Sequence, residues 1–414
     1  MSRVIVIGAG AAGLIAAGTA AELGADVMIL EKNPRPGRKI LITGKGRCNI
    51  TNNCTKDVFI ENVKSNPRFL YSSINNFDCA DTIDFFESNG LALKTERGNR
   101  VFPQSDKAMD VLDTLVHYTT SNGVLIKTSS TVQRLVIEDK KITGVVTTDG
   151  KVYNADAVII ATGGKSYPKT GSSGDGYRFA SYAGHTIIPA VPSLIPLVCT
   201  SEHSADCRDM QGLSLRNVGV KLYCDNKEIY SDFGEMLFTH FGLSGPTILS
   251  ASAHLREFDK HYHYISVDMK PALDFDKLDA RLIRDFEKYK NRELSNSLGD
   301  LLPSSMIPVV LRRFGADSTI RCNSITREQR HGLVKLIKDM RFDILGTRPI
   351  DEAIITRGGV KTSEIDPATM ESKLCHNLYF CGEVIDVDAY TGGFNLQIAF
   401  STGKLAGTWA VYNN

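Results

Sequence analysis

The sequence has a single Trp, and its charge is almost balanced: 48 Lys and Arg stand against 47 Asp and Glu in 414 residues. Without a basic excess, neither nucleic acid nor an anionic membrane surface is an expected partner. The nine cysteines are odd in number, scattered, and never spaced as C-x-x-C. That pattern excludes a disulfide framework and a cysteine-rich zinc module, and fits the reduced thiols of a cytoplasmic protein. Walker A, HExxH, GxSxG and EF-hand patterns are absent, as are internal repeats and low-complexity segments. The N-terminus opens directly into a strand pattern, with no charged leader and cleavage site. Residues 4–21 carry no charge and approach the length of a membrane span. Their glycines (Gly8, Gly10, Gly13, Gly18) and their split into VIVI and LIAAGTAA instead mark a strand, a turn and a helix. No membrane association is expected.

What is present in excess is glycine, 35 residues, many in short clusters. Hydrophobic residues at 42% provide for a sizeable core, and the length suggests two or three structural units. The first thirty residues read as one βαβ unit: a buried strand at 4–7, a helix to about 23, and a second strand at 26–30. Helical patterns cover about 66–76, 79–89 and 106–122. A β-rich stretch runs from 124 to 153, its segment KKITGVVTTDGK forming a hairpin, and another buried strand follows at 157–162. From about 189 the character changes. Prolines at 189, 192 and 196 mark a crossover, LRNVGVKLYCDNKEIYS alternates like antiparallel strands, and Leu278, Leu282, Ile283 and Phe286 are expected on one helix face. Thr326 and Gln329 make a capping box. After 357 the glycine-rich style returns. The chain therefore reads as a discontinuous domain, 1–189 with 355–414, interrupted by an insert at 190–354.

Gly8-Ala9-Gly10-Ala11-Ala12-Gly13 follows a strand and opens a helix. Gly8 permits the tight turn, Gly10 the approach of a pyrophosphate, and Gly13 close helix–strand packing. The helix N-terminus offers N–H groups and partial positive charge to phosphates. Glu31, at the end of the second strand, is placed to accept hydrogen bonds from an adenosine ribose and argues against a 2′-phosphorylated cofactor. The fingerprint alone does not separate NAD from FAD. Two further segments favour FAD. Ala161-Thr162-Gly163-Gly164 ends a buried strand where a turn can run along the dinucleotide. Near the C-terminus a strand at 378–381 leads to Gly382-Glu383, a loop with Gly392-Gly393, and a helix starting near Asn395. A helix N-terminus stabilises the negative charge that a flavin develops on accepting hydride. Arg38 and Lys39 suit the edge of a pyrophosphate or ribose. No second strand–GxGxxG–helix unit exists; the glycine-rich residues 171–176 have the wrong spacing.

The motifs GRK at 37–39, GKGRCNITN at 44–52, ATGGKSYPKTGSSGDGY at 161–177, FTHFGLSGPTIL at 238–249, RGGVKTSEIDPATMESK at 357–373 and GEVIDVDAYTGGFNLQ at 382–397 span nearly the whole chain. In this order they resemble the BaiN/YhiN-like flavoproteins, a family of aminoacetone-oxidase-type and bile-acid- or steroid-reductase-type enzymes. Lys45 departs from the pattern, which has glycine there, and puts a cation in the loop expected near the flavin. The resemblance implies an α/β fold: a two-dinucleotide-binding-type, Rossmann-like FAD domain carrying an inserted β-barrel-like and helical domain. It extends the expected FAD-binding residues from Gly8, Gly10, Ala11, Ala12, Gly13, Glu31, Arg38 and Lys39 to Lys32, Gly44, Gly46, Arg47, Cys48 and Asn49. Further along the chain they comprise Thr162, Gly163, Gly382, Glu383, Asp386, Gly393, Asn395, Leu396 and Gln397.

The reaction so implied is reduction of an enone C=C in a 3-oxo-steroid or oxo-bile acid, by hydride transfer from flavin N5 to the β-carbon. His240 or Tyr390 would protonate the α-carbon, and NADH or NADPH would visit transiently as electron donor. The insert is expected to cover the flavin ring and shape the pocket. An aminoacetone-type amine oxidase returning electrons to dioxygen, and a flavin redox sensor with little turnover, stay open. The expected partner is a small-molecule substrate, with no obligate protein partner. His261 and His263 share a strand face without a third ligand near them in sequence, so no metal site is expected.

Overall fold

Strand β1 (Arg3–Ile7) pairs in parallel with β2 (Asp26–Leu30), Val4 opposite Val27 and Ile7 opposite Leu30. Helix α1 (Ala11–Glu22) makes the crossover between them. The computed structural model describes residues 1–255, 258, 260–315, 317 and 319–413, which divide into two units, 1–193 with 349–414, and 194–348.

In the first unit the parallel sheet has five strands. Leu378–Phe380 lies at one edge, then β4 (Ala157–Ile160), β1, β2 and β3 (Leu125–Lys127). The strands carry continuous apolar runs because both faces are covered. Helix α1 is buried along residues 11–20, with no polar stripe, since the C-terminal helix Phe394–Tyr412 packs along it. Gly403 and Gly407 make this approach close: a Cβ on either would stand 2.5 and 2.3 Å from the carbonyl oxygens of Ala12 and Ala16. The hairpin expected from KKITGVVTTDGK forms between Lys141–Thr147 and Val152–Asn154. The helical pattern at 66–76 is two pieces, a 3₁₀ turn Pro67–Leu70 and a helix Tyr71–Asn76.

The second unit contains a closed six-stranded barrel in the order Leu197–Cys199, Gly242–Ser244, Lys227–Thr239, Ser214–Cys224, His263–Asp268 and Met340–Thr347. Pairing of the first with the last removes both edges. Asp225 and Asn226, both left-handed, form the two-residue turn of its longest hairpin. Helices Phe275–Lys288, Ile307–Phe314 and Arg327–Lys338 pack in the same unit, the last opened by the Thr326–Gln329 capping box. Leu278, Leu282 and Phe286 are buried, whereas Ile283 is 47% exposed. The reason is angular: five residues past Leu278 at about 100° each lead to the opposite side of the helix. Among the described residues no helix is long and apolar enough to cross a membrane.

Candidate cofactor-binding site

The glycine turn after β1 is built by backbone proximity. Gly8 has φ +104°, and a Cβ on it would lie 2.7 Å from the Ala161 carbonyl oxygen. A Cβ on Gly13 would stand 1.9 Å from the carbonyl oxygen of Gly8. Gly10 differs: nothing lies within 4 Å of its Cβ direction, and it borders a long cleft, with Ala11 and Ala12 beside it. Helix α1 starts there without a side-chain cap, so its first turn suits a phosphate. The cleft holds about 1350 Å³ of free space, the open solvent at its mouth included.

Glu31, 7% exposed, lies at the end of β2. One carboxylate oxygen accepts the Ala9 N–H (2.8 Å), and the other accepts the N–H and side-chain amide of Asn33 (2.8 and 2.7 Å). The acid therefore braces the glycine turn as well as lining the cleft. Lys32 reaches Asp175 (2.7 Å) and Ser173 (2.5 Å). Burial raises the Asp175 pKa, but the Lys32 ammonium and the Ser173 hydroxyl outweigh it and hold the carboxyl below its ordinary range. Arg38 is exposed and donates to Asn33 (3.0 Å).

On the opposite wall Lys39 donates to Glu383 and Ser166, both at 2.6 Å. The second Glu383 oxygen accepts the Thr356 N–H and the Ser166 hydroxyl, both at 2.8 Å. Thr162 and Gly163 follow β4 along the cleft, and the buried Thr162 hydroxyl oxygen has no partner among the described residues. Gly382 and the first turn of the C-terminal helix, with Asn395 and Leu396, complete this wall. A cleft with open space at Gly10, an unsatisfied hydroxyl and two helix N-termini fits an extended dinucleotide. Glu31, Lys39, Thr162, Glu383 and the α1 N-terminus would hold it.

Nine of the expected residues do not line the cleft. Gly13 and Gly393 are taken up by packing on backbone. Gln397 is fully buried, bonded to Thr51 (2.5 Å), the Phe77 carbonyl (3.2 Å) and Ser401 (2.9 Å). Burial pushes the Asp386 carboxyl above its ordinary range, and Asn66 bonds it at 3.0 Å. The marker loop contributes Ile40 and Thr43 to the cleft, while Gly44, Gly46, Arg47, Cys48 and Asn49 lie outside its lining. Arg47 pairs with Glu96 and Asp106 and stacks on Phe102 at 4.2 Å. Cys48 is fully buried, and burial pushes its thiol up to about 12. Ser166, Asp175 and Thr356 were not anticipated. The first two fall within the marker stretch 161–177, and Thr356 immediately precedes another, which was the available signal. Tyr390, in the first unit, packs under Lys64 (4.6 Å to the ring). His240, in the second, is exposed beside Phe241.

A parallel sheet whose glycine turn opens onto this cleft, with a barrel inserted after Ser193, defines a Rossmann-type FAD domain of the flavoprotein oxidoreductase class. The chain matches the HI0933-like protein Rossmann domain over residues 2–409, and it belongs to that family. A 3-dehydro-bile acid delta(4,6)-reductase of Clostridium scindens is 32% identical over 411 residues, 98% of each chain. A ribosomal RNA dihydrouridine synthase of Escherichia coli is 29% identical over 401 residues, 96% of this chain and 95% of that protein. Among solved structures, a 3-ketosteroid delta1-dehydrogenase from Sterolibacterium denitrificans shares the fold, with TM-score 0.52 at 12% identity over 100% of both chains.

Proposed function

We propose that this flavoprotein reduces a carbon–carbon double bond conjugated to a carbonyl, and that its substrate is a 3-oxo-steroid or oxo-bile acid. The observation that carries the reading is the end-to-end relationship to the bile acid reductase. FAD, when bound, supplies the hydride, and the rest is work for side chains and dipoles. The first turn of the C-terminal helix borders the cleft with its positive end, where negative charge is stabilised. The Lys39–Glu383 pair fixes two strand-end loops around the cofactor. Hydride goes to the β-carbon and a proton to the α-carbon, the proton coming from Tyr390 or His240. A nicotinamide nucleotide serves as transient donor, oxidised by two electrons in each cycle. The nine free thiols fit a reducing compartment, and we assign the activity to the cytoplasm.

A second reading has support of its own. The relative named as a ribosomal RNA dihydrouridine synthase covers 96% of the chain, against 98% for the bile acid reductase. Uracil, too, presents a C=C conjugated to a carbonyl, so the same chemistry would apply. Against RNA stands the charge balance, 48 cations to 47 anions, since phosphate contacts dominate such binding.

The test is anaerobic. Flavin in the purified protein is bleached with NADH or NADPH, then offered a 3-oxo-Δ4 steroid, unmodified ribosomal RNA, or air. Recovery of the visible spectrum on the steroid supports the proposal. Recovery on RNA moves the reading to uracil reduction, and recovery on air alone, or bleaching only by an amine, to an oxidase. Loss of turnover in Tyr390→Phe or in His240→Asn, with bleaching intact, identifies the proton donor.

A further inference from the structure

The end of the barrel gathers side chains that the cofactor cleft does not use. The strand Ser214–Cys224 finishes at Cys224, which sits opposite His263 in register. The turn residue Asp225 then makes two backbone-anchored contacts with the incoming segment. Its N–H donates to the Tyr262 carbonyl and its carboxylate accepts the Tyr262 N–H, both at 2.9 Å. The other carboxylate oxygen is 2.6 Å from Nδ1 of His261. In consequence a Cys224 sulfur, an Asp225 oxygen and a His261 nitrogen all lie within 4.8 Å of one another. His263 is 2% exposed, and its Nδ1 has no partner among the described residues. Its ring centre is 6.4 Å from that of His261.

We propose that Cys224, Asp225 and His261 form a binding site for a borderline-soft divalent cation of the zinc class, its fourth position left to solvent. The two histidines lacked a third ligand along the sequence; the barrel register supplies one from 37 residues away, the difference between 224 and 261. An ordinary surface ion pair accounts for Asp225 and His261. It does not account for a thiol at the same spot. One thiolate, one imidazole and one carboxylate suit Zn²⁺ and not the hard, oxygen-seeking Mg²⁺ or Ca²⁺. The turn is already fixed by the two Tyr262 bonds, so little ordering remains for binding to complete. The metal would tie the hairpin tip to the strand that follows, and its uptake would release the thiol proton.

The experiment uses the full-length, flavin-containing protein, stripped with a chelator and titrated with Zn²⁺ against a chromophoric competitor, then separately with Co²⁺. The expected result is one equivalent of metal, a raised melting temperature with Zn²⁺, and a thiolate-to-cobalt charge-transfer band. Cys224→Ser should abolish that band, and Cys224→Ser and His261→Ala should each weaken binding at least ~10-fold. Far-ultraviolet circular dichroism of the same samples reports that the variants are folded. Absence of uptake overturns the proposal. So does uptake that both variants retain, which would mark an adventitious surface ion.

Discussion

Lys39 Nζ lies 2.6 Å from the Glu383 carboxylate, joining residues 344 positions apart on one wall of the cofactor cleft. Their side chains are 24% and 12% exposed, so the pair is neither a surface bridge nor a sealed one. Exposed pairs contribute about 0–1 kcal/mol, and breaking a buried pair costs about 3–5. Lys39→Met should fall between, at about 1–3 kcal/mol, lowering the melting temperature by roughly 2–4 °C per kcal/mol. Lys39→Arg should recover most of that loss. Thermal melts of the three proteins with FAD bound decide it; an unchanged Lys39→Met melt would refute the bracing role.

Two of the fingerprint glycines should respond differently to the same insult. A side chain at Gly13 collides with the Gly8 carbonyl at 1.9 Å, so Gly13→Val should damage the fold itself. A side chain at Gly10 meets nothing within 4 Å and projects where a pyrophosphate would lie. Gly10→Val should therefore fold with an unchanged circular dichroism spectrum yet purify with little or no flavin. If it kept a full flavin-to-protein ratio, the placement of the pyrophosphate would be wrong.

These contrasts show what the chain discloses along its length and what it withholds. The βαβ unit was legible because turn, helix and Glu31 fall within about thirty residues of one another. The capping box at Thr326 and the hairpin within KKITGVVTTDGK were legible for the same reason. The far wall was legible in part: Thr162, Gly163, Gly382 and Glu383 were expected from their motifs, whereas the Glu383 partners Ser166 and Thr356 were not. Ser166, Thr356 and Glu383 converge through hydrogen bonds spanning up to 217 positions, and no spacing rule encodes that. The marker segment 44–52 is conspicuous as sequence, yet the cleft is bordered by Gly37, Arg38, Lys39, Ile40 and Thr43 just before it, because composition does not say which way a turn faces. Ile283 illustrates the same limit on a helix, where one residue of offset exchanges core for solvent.

Lys45 offers a test of strain in that loop. It follows Gly44 (φ +54°) and itself adopts φ +58°, a left-handed conformation. That conformation costs a residue with a Cβ about 1–2 kcal/mol. Glycine avoids the cost but loses more chain entropy on folding, about 0.5–1 kcal/mol. Lys45→Gly should thus be stabilising by a net of about 0.5–1 kcal/mol, and the β-branched Lys45→Val clearly destabilising. Urea unfolding at fixed FAD concentration measures both. A less stable Lys45→Gly would mean that the lysine side chain makes a contribution the backbone argument omits.

The last expectation concerns acid. The His185 side chain is fully buried, with Nε2 2.7 Å from the Ser372 hydroxyl and Nδ1 3.5 Å from the Glu364 carboxylate. Its ring also meets Phe380 edge-on at 4.9 Å. Burial holds its pKa below the ordinary 6.5, and Glu364 only partly opposes this. In the unfolded chain the imidazole takes a proton near pH 6.5, whereas in the folded protein it does so only at lower pH. Stability from this group is therefore complete above about pH 6.5 and declines as pH falls toward the folded value. The slope is at most about 1.4 kcal/mol per pH unit for one proton. His185→Gln, which keeps a hydrogen-bonding group near Ser372, should flatten the fall in melting temperature between about pH 6.5 and 5. The fall should shrink without vanishing, because burial depresses His203 in the second unit in the same way, with Arg313 adding to it. Melting curves of the two proteins across that window make the comparison. Parallel profiles would show that His185 is already protonated in the fold, paired with Glu364.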